Sequence, residues 1–190
     1  DNSSDTTATR FTGNFDGLGH TISDLTIDRP DQNQVGLFGM TQGATLRNMG
    51  LVAANIKGWN DVGGLVGYQN GGSISNAYAT GSVSGIQHVG GLVGSQDGSI
   101  SNAYATGSVS SSGGRIGGLV GSQNGSISNA YATGPVSGSD YVGGLVGDQR
   151  GSISNAYATG QVSGSDYVGG LVGTQQTDSI SNAYATGLVT

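Results

Sequence analysis

The chain has no cysteine and no glutamate, one lysine, one tryptophan and two prolines among its 190 residues. The missing cysteine excludes disulfides, thiol nucleophiles and thiolate metal sites, and is compatible with secretion without requiring it. Only 9% of the residues are charged, so the Glu–Lys patterning that supports exposed helices has no material here. Twelve acidic residues against six basic ones give a net charge of −6 and a pI near 4.4. Nucleic-acid backbones and anionic membranes call for clustered Lys and Arg, so neither nucleic acid nor membrane insertion is expected. No apolar run is long enough to span a bilayer, and no basic-then-apolar leader follows Asp1. Any targeting signal is expected to lie outside these residues.

Glycine, by contrast, occurs 38 times, and it falls at regular intervals. The phrase Ile-Ser-Asn-Ala-Tyr-Ala-Thr-Gly begins at Ile74, Ile100, Ile127, Ile153 and Ile180, a period of 26 or 27 residues (100 − 74, 127 − 100). A second phrase, Gly-Gly-Leu-Val-Gly, keeps the same period from Gly63, Gly90, Gly117, Gly143 and Gly169. A period of this length, rich in Gly, Ser, Thr and Val and without helical periodicity, marks a solenoid whose units stack and share one core. Three extended stretches per repeat are read between Gly-rich corners: Gly-Gly-Leu-Val-Gly, Ser-Ile-Ser-Asn-Ala-Tyr-Ala-Thr and Gly-x-Val-Ser-Gly. They predict an all-β, single-domain parallel β-helix of triangular section, each strand pairing with its equivalent one coil away.

Residues 1–10 are polar and patternless and are read as a lead-in. Residues 11–34 form an N-terminal coil whose bulkier Phe11, Phe15, Leu18, Ile22, Leu25 and Ile27 suit the end of a stack. Residues 35–61 form a degenerate coil, and 62–190 the regular repeats. About seven coils are expected, beginning near Phe11, Val35, Val62, Val89, Ile116, Val142 and Val168. At a rise of about 4.8 Å per coil they span roughly 30 Å.

Stacking turns each repeated residue into a row. The Ile row and the row of Val83, Val109, Val136, Val162 and Val189 are expected to face inward. The Leu65–Val66 pair and its copies should put one member inside and one outside if the strand is regular. The Asn row from Asn76 and the Gln row through Gln42, Gln69, Gln96, Gln123, Gln149 and Gln175 are read as amide ladders bonded along the axis. The row Tyr78, Tyr104, Tyr131, Tyr157 and Tyr184 admits two readings. Strict alternation from Ile74 buries the phenols, whereas a bend at Asn76 buries Ala77 and Ala79 and exposes Tyr78 and Thr80. The bend is preferred, because it spares the hydroxyl its desolvation cost. It would set the Tyr row beside Thr80, Thr106, Thr133, Thr159 and Thr186 as a candidate binding face for an extended partner, with sugar rings against the aromatic faces.

The combined unit, Val-Gly-Gly-Leu-Val-Gly-x-x-x-Gly-Ser-Ile-Ser-Asn-Ala-Tyr-Ala-Thr-Gly-x-Val-Ser-Gly, resembles the GLUG motif of large bacterial surface and secreted proteins. Filamentous-haemagglutinin-like adhesins and IgA-type metallopeptidases are among them. The resemblance covers Val62 to Thr190 closely and residues 11–60 more loosely; Phe15 to Ile22 is similar to segments that precede such arrays. It implies a stalk or display module of an extracellular or bacterial cell-surface protein. Nothing of the peptidases' chemistry carries over, because no His-Glu-x-x-His occurs.

No catalytic constellation is read. Asp140 and Asp166 occupy equivalent positions about 5 Å apart, but both sit in Ser-Gly-Ser-Asp-Tyr, where Asp is an ordinary turn residue. Calcium-loop patterns are missing, and His20 and His88 read as isolated surface residues, so no metal and no cofactor is expected. The glycines of Gly-Gly-Leu-Val-Gly lack the Lys and helix of a phosphate loop. A pectinase-like enzyme would need a clustered, non-repeating set of Asp, Lys or Arg on one face, which the sequence does not display. The leading expectation is therefore a non-enzymatic solenoid acting in adhesion or as a rigid stalk. The alternatives are a fibre subunit stacking end to end through strand edges left open at Thr190, and a repetitive array on the Tyr and Thr rows that binds polysaccharide or ice. Expected partners are other domains of a longer polypeptide, further copies of the chain, or a glycan or cell surface.

Overall fold

The computed structural model describes residues 10–190, so the expected lead-in falls, apart from Arg10, outside the described residues. No helix occurs among them, and every strand pairing is parallel and joins equivalent residues of adjacent coils. Three sheets result, of twelve, six and five strands. The twelve-stranded face holds the Ser-Ile-Ser-Asn-Ala-Tyr-Ala segments together with the x-Val-Ser segments that follow them, as in Ser99–Ala105 and Ser108–Ser111. The six-stranded face holds the Val-Gly-x-Gln segments, such as Val93–Gln96. The five-stranded face holds the short segments ending in Val-Gly, such as Gln87–Gly90.

Three strands per coil is thus what forms, with the corners shifted. Gly-Gly-Leu-Val-Gly is not one strand, because its Gly-Gly-Leu part is the corner between two faces. A Cβ on Gly90 would collide with the carbonyl of Val93, so only glycine lets the chain turn this tightly. The corner also answers the Leu–Val question: with alternation interrupted between them, Leu92 and Val93 both point inward and are fully buried, as are Leu65–Val66, Leu119–Val120 and Leu145–Val146. Gly-x-Val-Ser-Gly does not form a face of its own either; it continues the face that carries the tyrosines.

The stack makes about six turns rather than seven. The five- and six-stranded faces set that number, while the twelve-stranded face alone carries a further layer, Asn14–Asp16 with Thr21–Ser23 and Thr26–Asp28. In that end layer Phe11 and Phe15 pack on Phe38, at 5.1 and 5.4 Å between ring centroids, and close part of the core. Leu18 and Ile22, also expected there, remain on the surface.

The core is a bundle of rows. Ile74, Ile100, Ile127 and Ile153 are buried in register, as are Val83, Val109, Val136 and Val162; Ile180 and Val189, in the last layer, are partly open. The bend at Asn76 forms as preferred. Asn76, Asn102, Asn129, Asn155 and Asn182 have φ of 49–51°, the left-handed conformation that Asn tolerates. Alternation restarts after it, so Ala77 and Ala79 and their copies at 103, 105, 130, 132, 156 and 158 are buried while the tyrosines turn outward.

The two amide rows differ. Asn side chains pair along the axis, Asn76 Nδ2 donating to Asn48 Oδ1 at 3.1 Å and Asn182 Nδ2 to Asn155 Oδ1 at 2.6 Å. The Gln amides do not bond to one another. Gln96 and Gln123 donate across the corner to the carbonyls of Gly98 and Gly125, and to Ser126 and Ser152 of the next coil at 3.2 and 3.1 Å. Buried glutamine at a corner is held by backbone carbonyls, some of which, such as those of Gly98 and Ser152, also accept a backbone N–H from the adjacent coil.

Candidate functional site

Two surfaces carry chemistry. The first is the face of Tyr78, Tyr104, Tyr131, Tyr157 and Tyr184 with the threonines beside them, of which Thr106, Thr159 and Thr186 are exposed and Thr80 and Thr133 half-buried. The rings stack face to face, with centroids 4.8 Å apart and planes within 3° from Tyr78 to Tyr131, then 4.9 Å to Tyr157 and 5.3 Å to Tyr184. Tyr78 lies over Gly50, where a Cβ would strike its ring. The apolar faces therefore point along the axis at one another. Solvent meets ring edges and a line of hydroxyls, which is a different surface from the ribbon of open aromatic faces expected. Burial, and secondarily the neighbouring phenols, raise Tyr104 and Tyr131 above the ordinary tyrosine range, so the hydroxyls stay protonated donors at neutral pH.

The second surface was not anticipated. The non-repeating cluster of acidic and basic residues that the sequence does not display is assembled by the fold, from three columns that vary from coil to coil. Asp61, His88, Arg115, Tyr141 and Tyr167 precede each Val-Gly or, at Arg115, Ile-Gly, all in the left-handed conformation with φ between 51 and 62°. Tyr68, Ser95, Ser122, Asp148 and Thr174 form the outward column of the six-stranded face. Asp97, Asn124, Arg150 and Gln176 follow the glutamines, each donating its backbone N–H to the glutamine carbonyl one coil earlier.

Side chains from these columns bond into two adjacent groups, one around His88 and Asp148 and one around Asp97. His88 Nδ1 lies 2.8 Å from Asp61 Oδ1, and its Nε2 lies 2.9 Å from Arg115 Nη1. An arginine can only donate, so Nε2 must accept, which fixes His88 as the neutral tautomer that donates from Nδ1 to Asp61. His88 is thus half-buried and doubly bonded rather than isolated, while His20 is exposed as expected. Arg150 Nη2 donates to Asp148 Oδ2 at 3.2 Å, Arg115 Nε forms an ion pair with the same oxygen at 3.2 Å, and Thr174 and Gln176 donate to the other Asp148 oxygen at 3.1 and 3.0 Å. Asp148 is only 1% exposed, and these four partners are what allow a carboxylate to lie there. Tyr68 donates to Asp97 at 2.5 Å, and Asn124 donates to the other Asp97 oxygen at 2.7 Å. The bond to Asp97, with burial behind it, pushes the Tyr68 hydroxyl up to about 12.

Ser95, His88 and Asp61 share the composition of a hydrolytic triad, but the connections are wrong for one. Ser95 donates to Asp61 at 2.5 Å, and the His88 nitrogen that would have to receive the serine proton is occupied by Arg115. Asp140 and Asp166 do stand side by side in register, but no group of three or more His or carboxylate side chains suited to a metal occurs among the described residues. No helix among them is long and apolar enough to cross a membrane.

Columns of identical residues on three parallel sheets, interrupted by one patch of exceptions, define a β-solenoid repeat protein. The GLUG motif matches it five times over, at residues 60–84, 85–110, 112–137, 138–163 and 164–190, and the chain belongs to that family. Over 88 residues it is 47% identical to halomucin of Haloquadratum walsbyi, a match covering 46% of this chain and 1% of halomucin. Its fold is similar to the crystal structure of a candidate immunoglobulin A1 protease from Bacteroides ovatus, with a TM-score of 0.76 and 27% identity over 93% of this chain and 61% of that one. The chain therefore spans only a small part of halomucin and under two thirds of the solved chain.

Proposed function

We propose that the chain is a non-catalytic, rigid spacer in a cell-surface or secreted protein, holding other parts of a longer polypeptide at a fixed separation. The observation that carries this reading is the unbroken residue-for-residue register from Phe15 through Leu46 and Ile74 to Ile180 along one face. The interfaces between the regular coils are built from the same buried rows, and the one irregularity, a register shift between Leu51 and Ala54, lies within a continuously paired strand, so the stack bends or extends little. The likeness to a small fraction of halomucin and to part of the B. ovatus chain supports the idea that such stacks serve as segments of larger proteins.

The absence of cysteine makes the test direct. Spin labels on Thr12→Cys and Ser181→Cys, both exposed and in the first and last layers, should give a narrow distance distribution centred at roughly 30 Å. A broad distribution, or one that shifts with the attachment of a flanking domain, refutes a rigid spacer. A second reading, adhesion to a glycan through the Tyr and Thr rows, is favoured by one feature, the line of hydroxyls at the coil spacing, which offers repeated weak contacts to an extended partner.

A further inference from the structure

The variable patch on the six-stranded face contains a notch of about 290 Å3, at the low end of the range that holds small molecules. Its floor is two coils long, formed by Ser95 and Ser122, which their column flanks with Tyr68 on one side and the buried Asp148 on the other. His88 and Arg115 stand along one side, Asp97 and Asn124 along the other. We infer that this notch binds a single neutral sugar residue, free or at the end of a glycan.

Three observations carry the inference. First, the column of Asp61, His88 and Arg115 sits at a left-handed position. That column is left-handed in every coil and its residue changes from coil to coil, whereas the left-handed position of the Ile-Ser-Asn-Ala-Tyr phrase is always Asn; Asp61 and His88 suit the conformation and Arg115 does not, so the column is free to vary in side chain. Second, the notch is only partly satisfied. Among the described residues the Ser122 hydroxyl, Arg115 Nη2 and the Asn124 carbonyl have no hydrogen-bond partner, and each Asp97 oxygen receives a single bond. Donors and acceptors therefore stand open side by side, which matches sugar hydroxyls, since each both donates and accepts. Third, the charges do not suit an ion. With neutral His88, the charges that line the notch, Asp61 and Asp97 against Arg115 and Arg150, balance, and both arginines are turned to the buried Asp148, so neither an anion nor a cation is favoured over a neutral ligand. Asp61 takes Ser95 and His88 on one oxygen, Asp97 takes Tyr68 and Asn124, and no group of three or more His or carboxylate side chains gathers among the described residues, so a cation finds no oxygen cage. These bonds hold the side chains in place before any ligand arrives, which lowers the ordering cost of binding.

The test is an amide-resolved NMR titration of the whole chain with glucose, galactose, mannose, N-acetylglucosamine and their methyl glycosides, alongside glucuronate and inorganic sulfate. At least one neutral sugar should shift the amides around Ser95, Asp97, Ser122 and Asn124; a methyl glycoside binding as well as the free sugar points to a glycan end. Ser122→Tyr, which fills the floor with the residue this column already carries at Tyr68, should weaken that binding by about tenfold or more. Asn124→Ala, at an exposed site, is the second variant and should weaken it too, with the dispersion of the spectrum unchanged in both. The inference is overturned if no neutral sugar moves these amides, if glucuronate or sulfate binds as well as the sugars, or if shifts appear only along the Tyr78 row. It does not depend on the spacer reading, because a floppy chain could still bind sugar here and a rigid one could fail to.

Discussion

Truncating the isoleucine at the centre of the stack tests the architecture most directly. Ile127 is 1% exposed and lies between Ile100 and Ile153, its partners in the adjacent coils. Removing three carbons from such a site costs about 2–5 kcal/mol, depending on how far the surroundings collapse onto the void. Collapse is resisted here, because each neighbouring coil is tied on three faces and cannot shift without losing strand bonds, so Ile127→Ala belongs in the upper half of that range. For a chain of this size, with about 2–4 °C lost per kcal/mol, melting should fall by roughly 6–20 °C. Ile127→Val should cost only about 0.5–1.5 kcal/mol. Ile180→Ala, in the partly open last layer, should cost roughly 1 kcal/mol, since the side chain is only half-buried. Ser126→Thr, at the exposed position next to Ile127, should stay within about 0.5 kcal/mol of the parent. Urea unfolding followed by far-UV circular dichroism ranks the four. The Ile127→Ala transition should also become shallower, because a weakened interface in a linear array lets the coils on either side unfold separately. If Ile127→Ala and Ser126→Thr unfold at the same urea concentration, or if Ile180→Ala is the worse of the two alanine variants, the account of the shared core is wrong.

Two further outcomes are expected. The Tyr68 hydroxyl is raised to about 12 by its bond to Asp97, so the folded state keeps a proton that the unfolded chain gives up near its ordinary value of about 10. Its contribution to stability is complete below about pH 10 and is lost as pH climbs through about 12; Tyr68→Phe should flatten that alkaline decline, and an unchanged alkaline limb would show that the bond does not control it. Replacing Tyr104, Tyr131 and Tyr157 together with Ser removes the middle of the stacked column. Attachment to glycan-coated surfaces lost while melting stays within a few degrees would support the adhesive reading, whereas a large drop in melting with attachment per folded molecule unchanged would make the column architectural.

What could be read from the chain was whatever repeats. Ile127 and Val136 recur at one spacing with Gly, Ser and Ala around them, and a row that recurs in every coil must be either wholly inside or wholly outside. The bend at Asn76 was legible for a local reason: Asn is the residue that adopts a left-handed conformation most readily, and burying alanine is easier than burying a phenol. The burial of both Leu92 and Val93 was not legible, because strand alternation is a rule for regular strands and the Gly-Gly corner suspends it. The bonding of Gln96 to the Gly98 and Ser126 carbonyls was hidden for the same reason, since corners expose backbone groups that no periodicity records. The ring geometry of the tyrosine column followed from the strand spacing, yet the consequence, that stacked rings turn their faces to each other, required the side-chain orientation.

The variable patch escaped for a different reason. Its members are separated by about one period each, Asp61 from His88 and His88 from Arg115, and a search for neighbouring acids, bases or ligands passes over residues so far apart in sequence. The signal was present in another form. Writing the five repeats beneath one another leaves most columns constant and a minority variable, and three of the variable ones are those the fold brings together across the six-stranded face. Constant columns are those in which each residue packs against its own copy, so a change in one coil disturbs two interfaces, and selection for the stack holds them uniform. A column that faces outward and bonds across coils to unlike partners, as Asp61 does to His88 and Ser95, is under no such restraint. The same repetition that makes the core uniform confines individuality to these positions, so in a solenoid of this kind specific recognition is to be sought where the copies disagree.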